Sequence, residues 1–280
     1  MARQILTTIT FATVMLSVAV AFAWTDYNPL SWEMGKHLPW LSQFVFKDGA
    51  TSVGPEQSYR TSLLSRDPLV IYIEDFVSEA EMDYLLDLHD RFSEPAKVYP
   101  TNGEPYVDKD KRFSNLTFID RADAVVQGIG ARALEFQGSR PNVTLEDPYV
   151  QRYGPGGHFM NHYDWIGDES AAARGSNRLS TFLIYLESDC TEGGTRFPRI
   201  PPPGLSWNGK WCERIECEDD LSVGADRGGT TIRPIRGNAV FWMNLDRDLK
   251  GDTGTLHRGM PVGTGAKTVM NLFTAVHWDP

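Results

Sequence analysis

Two short stretches of this chain carry residues that could hold a metal. His162-Tyr163-Asp164 sets a histidine and a carboxylate two positions apart, and His257 offers a second imidazole far along the chain. Two histidines and one carboxylate on one face of a metal leave the opposite positions free, which is how non-haem Fe(II) sites hold a cosubstrate and O2 together. Residues i and i+2 of a strand share a face, so His162 and Asp164 are expected to project from one strand, with His257 closing the triad from a distant one. Lys267 follows His257 by ten residues and is placed to bind a carboxylate. A solvated lysine in a Gly-rich turn is the ordinary alternative for that residue, and an isolated His-x-Asp pair arises often by chance. His158, four residues before His162, would suit a ligand pair on a helix. The run Gly154-Pro155-Gly156-Gly157 argues against a helix there, so His158 is expected at the rim.

The elements that must position these residues are mostly strands. After Pro148 the sequence breaks into β-rich runs separated by Gly and Pro: 149–153, 179–186, 230–234, 239–243 and 269–276. Before it, 69–73 predicts a strand, and Ser78-Glu79-Ala80-Glu81 is a capping box opening a helix to about Phe92. Met82, Leu85, Leu86, His89 and Phe92 share one face of that helix, which makes His89 a core residue rather than a ligand. A second helix is expected over 122–135. Helices first and strands after, with polar ligands arising from strands and loops, predict an α+β protein: a double-stranded β-helix (jelly roll) flanked by N-terminal helices. The Pro-, Gly- and charge-rich stretch 198–229 predicts an insertion between strands, of the kind that forms lids or substrate contacts.

With 280 residues, 41% hydrophobic and 23% charged, the chain can bury a substantial core in one large domain. A net charge of −10 argues against a nucleic-acid partner, which calls for a basic patch. Residues 5–24 carry no charge and approach the roughly 20 residues that span a bilayer. They form either a cleaved signal, with Ala21-Phe22-Ala23 as the cleavage site, or an uncleaved membrane anchor; their length favours the anchor. Both place the rest in the secretory pathway, where Asn115-Leu116-Thr117 and Asn142-Val143-Thr144 become usable glycosylation sequons. An oxidising lumen favours one disulfide among Cys190, Cys212 and Cys217, with Cys212–Cys217 the expected pair. The boundaries that result are a hydrophobic segment 1–25, a stem 26–66 and a catalytic domain 67–280 whose jelly-roll core begins near 145.

Motif order then becomes specific. Arg112-Phe113-Ser114, Tyr149 to Gly157, His162 to Trp165, Arg178 to Leu186, Gly193 to Pro198, Gly237 to Trp242 and the stretch His257 to Lys267 resemble, in that order, the prolyl 4-hydroxylase α-subunit family. The resemblance covers roughly Leu69 to Trp278. It implies an Fe(II)- and 2-oxoglutarate-dependent dioxygenase with His162, Asp164 and His257 on the metal and Lys267 on the far carboxylate of 2-oxoglutarate. It also places Tyr153 and Thr181 against that cosubstrate, packing being the alternative for both. O2 would be the second cosubstrate and ascorbate the reductant, and no acid–base dyad is required. Two positions depart from the family: Phe159 stands where a tyrosine is common and Phe273 where a tryptophan is common. Arg258 likewise stands where a small residue is common. The implied activity is hydroxylation of peptidyl proline in secreted proteins, on the lumenal side of the endoplasmic reticulum membrane. The alternatives are a hydroxylase of a small molecule or free amino acid, and a jelly-roll binding module without turnover. A partner subunit is not specified.

Overall fold

The structure is a computed structural model, and it describes residues 58–100, 103–203, 210–217 and 228–278. The hydrophobic segment 5–24, the stem up to residue 57 and much of the 198–229 insertion, which the sequence singled out, lie outside these residues. Among the described residues no helix is long and apolar enough to cross a membrane.

Two antiparallel sheets form the jelly roll. The larger contains β1 (Arg60–Arg66), β2 (Leu69–Glu74), β3 (Glu94–Pro95), β5 (Asn115–Phe118), β6 (Val143–Leu145), β7 (Tyr149–Tyr153), β9 (Ser176–Glu192), β12 (Ala239–Met243) and β14 (Val262–His277). Its order is β1-β2-β12-β9-β14-β7-β5-β3, with β6 also paired to β14. The smaller sheet runs β11-β10-β13-β8-β4, from β4 (Arg112–Phe113), β8 (His158–His162), β10 (Thr195–Phe197), β11 (Thr230–Ile232) and β13 (His257–Gly259). β1 is a correction to the expected stem: Arg60–Arg66 pairs with β2 along its whole length. It is an edge strand whose apolar content is the adjacent pair Leu63-Leu64, with Leu64 alone buried, so it shows no alternating apolar pattern.

Both expected helices are present and lie before the jelly-roll core in sequence. α1 (Glu79–Phe92) opens on the capping box, Ser78 accepting from the Glu81 amide while the Glu81 carboxylate takes the Ser78 N–H. Met82, Leu85 and His89 are its buried stripe. Phe92, expected on that stripe, is 61% exposed, so the stripe ends at His89. His89 is a core residue as expected, with Nδ1 3.3 Å from the Thr117 hydroxyl. α2 (Ala124–Phe136) is capped by Asp123, whose carboxylate accepts from the amides of Val125 and Val126. A short third helix, α3 (Asp168–Arg174), follows β8.

Phe136 of α2 packs edge-on against Phe182 and Phe241 of the large sheet at 5.6 and 5.1 Å between ring centroids. Phe76 stacks on Phe182 at 5.5 Å. Aromatic contacts of this geometry add to the area term and fix one sheet face against the helix. Within the insertion, residues 210–217 are held against the rest of the fold: Trp211 meets Tyr72 at 6.5 Å, Arg214 pairs with Glu74, and Cys212 is bonded to Cys217 as expected. Cys190 is free.

Candidate active site

The metal triad arises from the small sheet. His257 and His162 are direct cross-strand partners in the β13–β8 pair, and opposed residues of antiparallel strands point to the same face. Their rings lie 4.2 Å apart between centroids. Asp164 differs from expectation: β8 ends at His162, so the carboxylate comes from the bend two residues beyond rather than from the strand. The bend lets both carboxylate oxygens face imidazoles, His162 Nε2 lying 3.7 Å from Oδ1 and His257 Nε2 3.7 Å from Oδ2. The three ligand atoms all lie within 4.8 Å of one another.

Tautomer and charge suit a cation. His162 Nδ1 lies 2.8 Å from the Met160 carbonyl and His257 Nδ1 lies 2.9 Å from the Thr255 carbonyl. A carbonyl only accepts, so Nδ1 must donate in both rings and Nε2 is the nitrogen that each turns toward Asp164. Burial, with His257 close by, pushes the His162 pKa down to about 3, which keeps it neutral. Burial raises the Asp164 pKa, but His257, His162, Arg178 and the Thr181 hydroxyl outweigh it and the net direction is down. A neutral His162, a second imidazole from His257 and a carboxylate held ionised at Asp164 fit Fe(II), and carbonyls behind the rings fix their orientation as metal-ligating histidines require.

Between the sheets, with His162 and His257 in its wall, lies a pocket of about 370 Å³ counted together with its mouth open to solvent. Lys267 sits in its wall, 2% exposed, with Nζ donating to the Gly193 carbonyl at 2.6 Å. Burial pushes its pKa down to about 8, with no carboxylate among the groups acting on it. A buried ammonium whose one hydrogen-bond acceptor among the described residues is a neutral carbonyl suits the binding of an anion. Tyr153 is the cross-strand partner of Lys267, lines the cavity, and has its ring 4.6 Å from Nζ. Gly265 bends β14 just before the lysine: its φ is +74°, and a Cβ there would lie 1.8 Å from the Asp189 carbonyl oxygen.

Thr181 needs correcting. It is fully buried and does not line the cavity; its hydroxyl donates to Asp164 Oδ2 at 2.8 Å and accepts from Asn244 Nδ2 at 2.8 Å. It therefore orients the metal carboxylate, because on β9 it pairs with Phe273, well along the sheet from Lys267. Thr195 lines the cavity instead, its hydroxyl accepting from Tyr185 at 3.0 Å. Gln151 and Asn271 also line it; both alternate with residues already singled out, at i−2 from Tyr153 and i+4 from Lys267, so strand periodicity could have found them. His158 stays off the cavity, with its ring nitrogens 2.9 Å from the Gly156 carbonyl and 3.0 Å from the Asp110 carbonyl. Phe159 lies flat on His162 at 3.8 Å between centroids. Phe273 lies under the Arg178 guanidinium at 3.9 Å.

Residues 148–275 match the family described as the 2OG-Fe(II) oxygenase superfamily. Prolyl 4-hydroxylase 2 of Arabidopsis thaliana is 35% identical over 210 residues, 73% of this chain and 66% of that protein. Prolyl 4-hydroxylase subunit alpha-3 of Homo sapiens is 27% identical over 224 residues, 77% of this chain but 35% of the relative. The chain thus spans just under two thirds of the plant enzyme and about a third of the human subunit. A viral collagen prolyl hydroxylase from Paramecium bursaria Chlorella virus-1, solved with 2OG, shares the fold with a TM-score of 0.54 at 24% identity, over 74% of this chain and 96% of that one. Residues 148–275 therefore carry the match to the 2OG-Fe(II) oxygenases, and over about three quarters of its length the chain is similar to prolyl 4-hydroxylases. Fe(II) and 2-oxoglutarate are the cofactor and cosubstrate of that class, and the donor set described above fits both.

Proposed function

We propose that this protein hydroxylates peptidyl proline in proteins of the secretory pathway, using Fe(II), 2-oxoglutarate and O2, with ascorbate as reductant. The observation that carries the proposal is the pairing of the His162, Asp164 and His257 triad with a buried lysine that has no carboxylate partner among the described residues, on the same pocket. In this reading His162, Asp164 and His257 hold the iron, and bound iron supplies the oxidising power that couples decarboxylation of 2-oxoglutarate to C–H hydroxylation. Lys267 neutralises the far carboxylate of 2-oxoglutarate, and Tyr153 and Thr195 wall that end of the cavity. Thr181 and Asn244 fix the Asp164 carboxylate, so the ligand geometry is set before any substrate arrives.

Peptidyl proline is the substrate class that the relatives' names suggest for this chain. Secretory placement, with a lumenal catalytic part and residues 5–24 as membrane anchor, is supported by the uncharged N-terminal run, the Cys212–Cys217 bond and exposed Asn115 and Asn142. A small-molecule substrate is the second reading. It is favoured by Phe159 on His162 and Phe273 under Arg178, which offer no hydrogen-bond donor beside the metal. The test is succinate formation with Fe(II) and ascorbate, with and without proline-rich peptides, followed by mass analysis of the peptide. A gain of one oxygen on proline supports the proposal; turnover that no peptide stimulates or consumes refutes the peptide substrate.

A further inference from the structure

The inner face of the large sheet is graded along its strands. In the continuous β14–β7 register, Lys267 faces Tyr153, Val269 faces Gln151 and Asn271 faces Tyr149. All six residues line the cavity. Alternate positions on a strand lie about 6.6 Å apart, so the β14 wall presents an ammonium, an apolar side chain and an amide in succession. The next alternate residue, Phe273, pairs on β9 with Thr181, whose hydroxyl holds Asp164. Asn271 is therefore the polar β14 residue one row from the metal carboxylate, and Lys267 stands three rows away.

The Asn271 amide is uncommitted. The residue is 8% exposed, and its Nδ2 is buried without a hydrogen-bond partner. Gln151, its neighbour on the same wall, is spoken for at both ends, donating to Ser114 Oγ at 2.6 Å and accepting from Arg112 Nη2 at 2.9 Å. A buried amide donor left unpaired is costly unless something that enters the cavity accepts from it. Cation, apolar step and amide donor together match a dicarboxylate with methylenes between its ends.

We propose that the Asn271 side-chain amide donates a hydrogen bond to the C1 carboxylate of 2-oxoglutarate, so that one strand, β14, holds the cosubstrate at both ends with Val269 against its methylenes. This rests on the 2-oxoglutarate reading above and extends it to the end of the molecule nearest the iron.

The test uses the full chain with Fe(II) under nitrogen. 2-Oxoglutarate is titrated by calorimetry and by the visible charge-transfer absorption that a 2-keto acid gives when it chelates Fe(II). Asn271→Ala is expected to raise the 2-oxoglutarate Kd about tenfold, the loss of one hydrogen bond to a charged group, with a displaced absorption band and an unchanged Fe(II) Kd. Asn271→Asp keeps the side-chain shape and replaces the donor by a carboxylate, so it should bind still more weakly. Wild-type affinity and an undisplaced band in a folded Asn271→Asp would overturn the proposal, as would a defect in Asn271→Ala confined to the KM of the hydroxylated substrate. Failure of the iron-loaded wild-type chain to bind 2-oxoglutarate at all would remove the oxygenase reading itself, and this proposal with it.

Discussion

Replacing Lys267 by methionine should move stability and cosubstrate affinity in opposite directions. Burial takes the lysine pKa from 10.5 to about 8, which corresponds to about 3 kcal/mol of unfavourable charge burial at neutral pH. Because the folded-state value lies below the unfolded one, that cost is fully present below pH 8 and is relieved as pH rises from 8 to 10.5. Methionine fills a similar volume without charge. It strands the Gly193 carbonyl that now accepts from Nζ, a loss of about 1 kcal/mol. The balance predicts a gain of about 2 kcal/mol for the ligand-free chain at pH 7, read as a rise in Tm of about 4–8 °C, and a smaller gain at pH 10. The same change deletes the charge-assisted contact to the far carboxylate, so 2-oxoglutarate should bind about 10- to 100-fold more weakly, with Fe(II) affinity unchanged. Calorimetry and thermal melts of wild type and Lys267→Met at the two pH values check both arms. A destabilised variant that binds 2-oxoglutarate normally would refute the reasoning and make Lys267 a structural residue.

Further outcomes follow from neighbouring contacts. Thr181→Val removes the hydrogen bond that orients Asp164 and should weaken Mn(II) or Fe(II) binding about tenfold or more, measured by metal titration, with cosubstrate affinity per loaded site unchanged. Cys212→Ser with Cys217→Ser opens a short loop whose closure contributes about 2 kcal/mol in the chain-entropy picture. Its Tm should fall while the Fe(II) Kd holds, since the bond ties down Trp211 and Arg214 and not the triad. Gly265→Ala meets both a positive φ and the Asp189 carbonyl and should lower chemical-denaturation stability by more than 1 kcal/mol.

Much of this arrangement was legible in the residues, and the gaps have physical causes. The capping box at Ser78 and the Tyr149–Tyr153 strand were readable because their signals are local: a side chain answering a backbone amide, and a short run with aromatic and β-branched residues bounded by Pro148 and Gly154. β8 and β13 were expected only through the ligand geometry and not from any strand pattern, since one follows a Gly-rich turn with mostly half-exposed or exposed residues and the other is three residues long. His162, Asp164 and His257 were singled out from type and spacing, and the fold brings them within 4.8 Å of one another, whereas the origin of Asp164 in a bend depends on where β8 stops pairing. Thr181 was placed against the wrong partner because a threonine's role depends on its row in the sheet. That row is set by register with β12 and β14, which the sequence of β9 does not display. Asn271 was missed for the same reason, although its spacing from Lys267 already put it on the same face.

The central claim is that His162, Asp164 and His257 form an iron site at which 2-oxoglutarate is turned over. Its most direct test is succinate formation from 2-oxoglutarate by the Fe(II)-loaded wild-type chain beside Asp164→Ala, each verified as folded by circular dichroism. The account predicts turnover in the wild type and none above background in the variant; equal turnover in both, or none in an iron-loaded wild type, would contradict it.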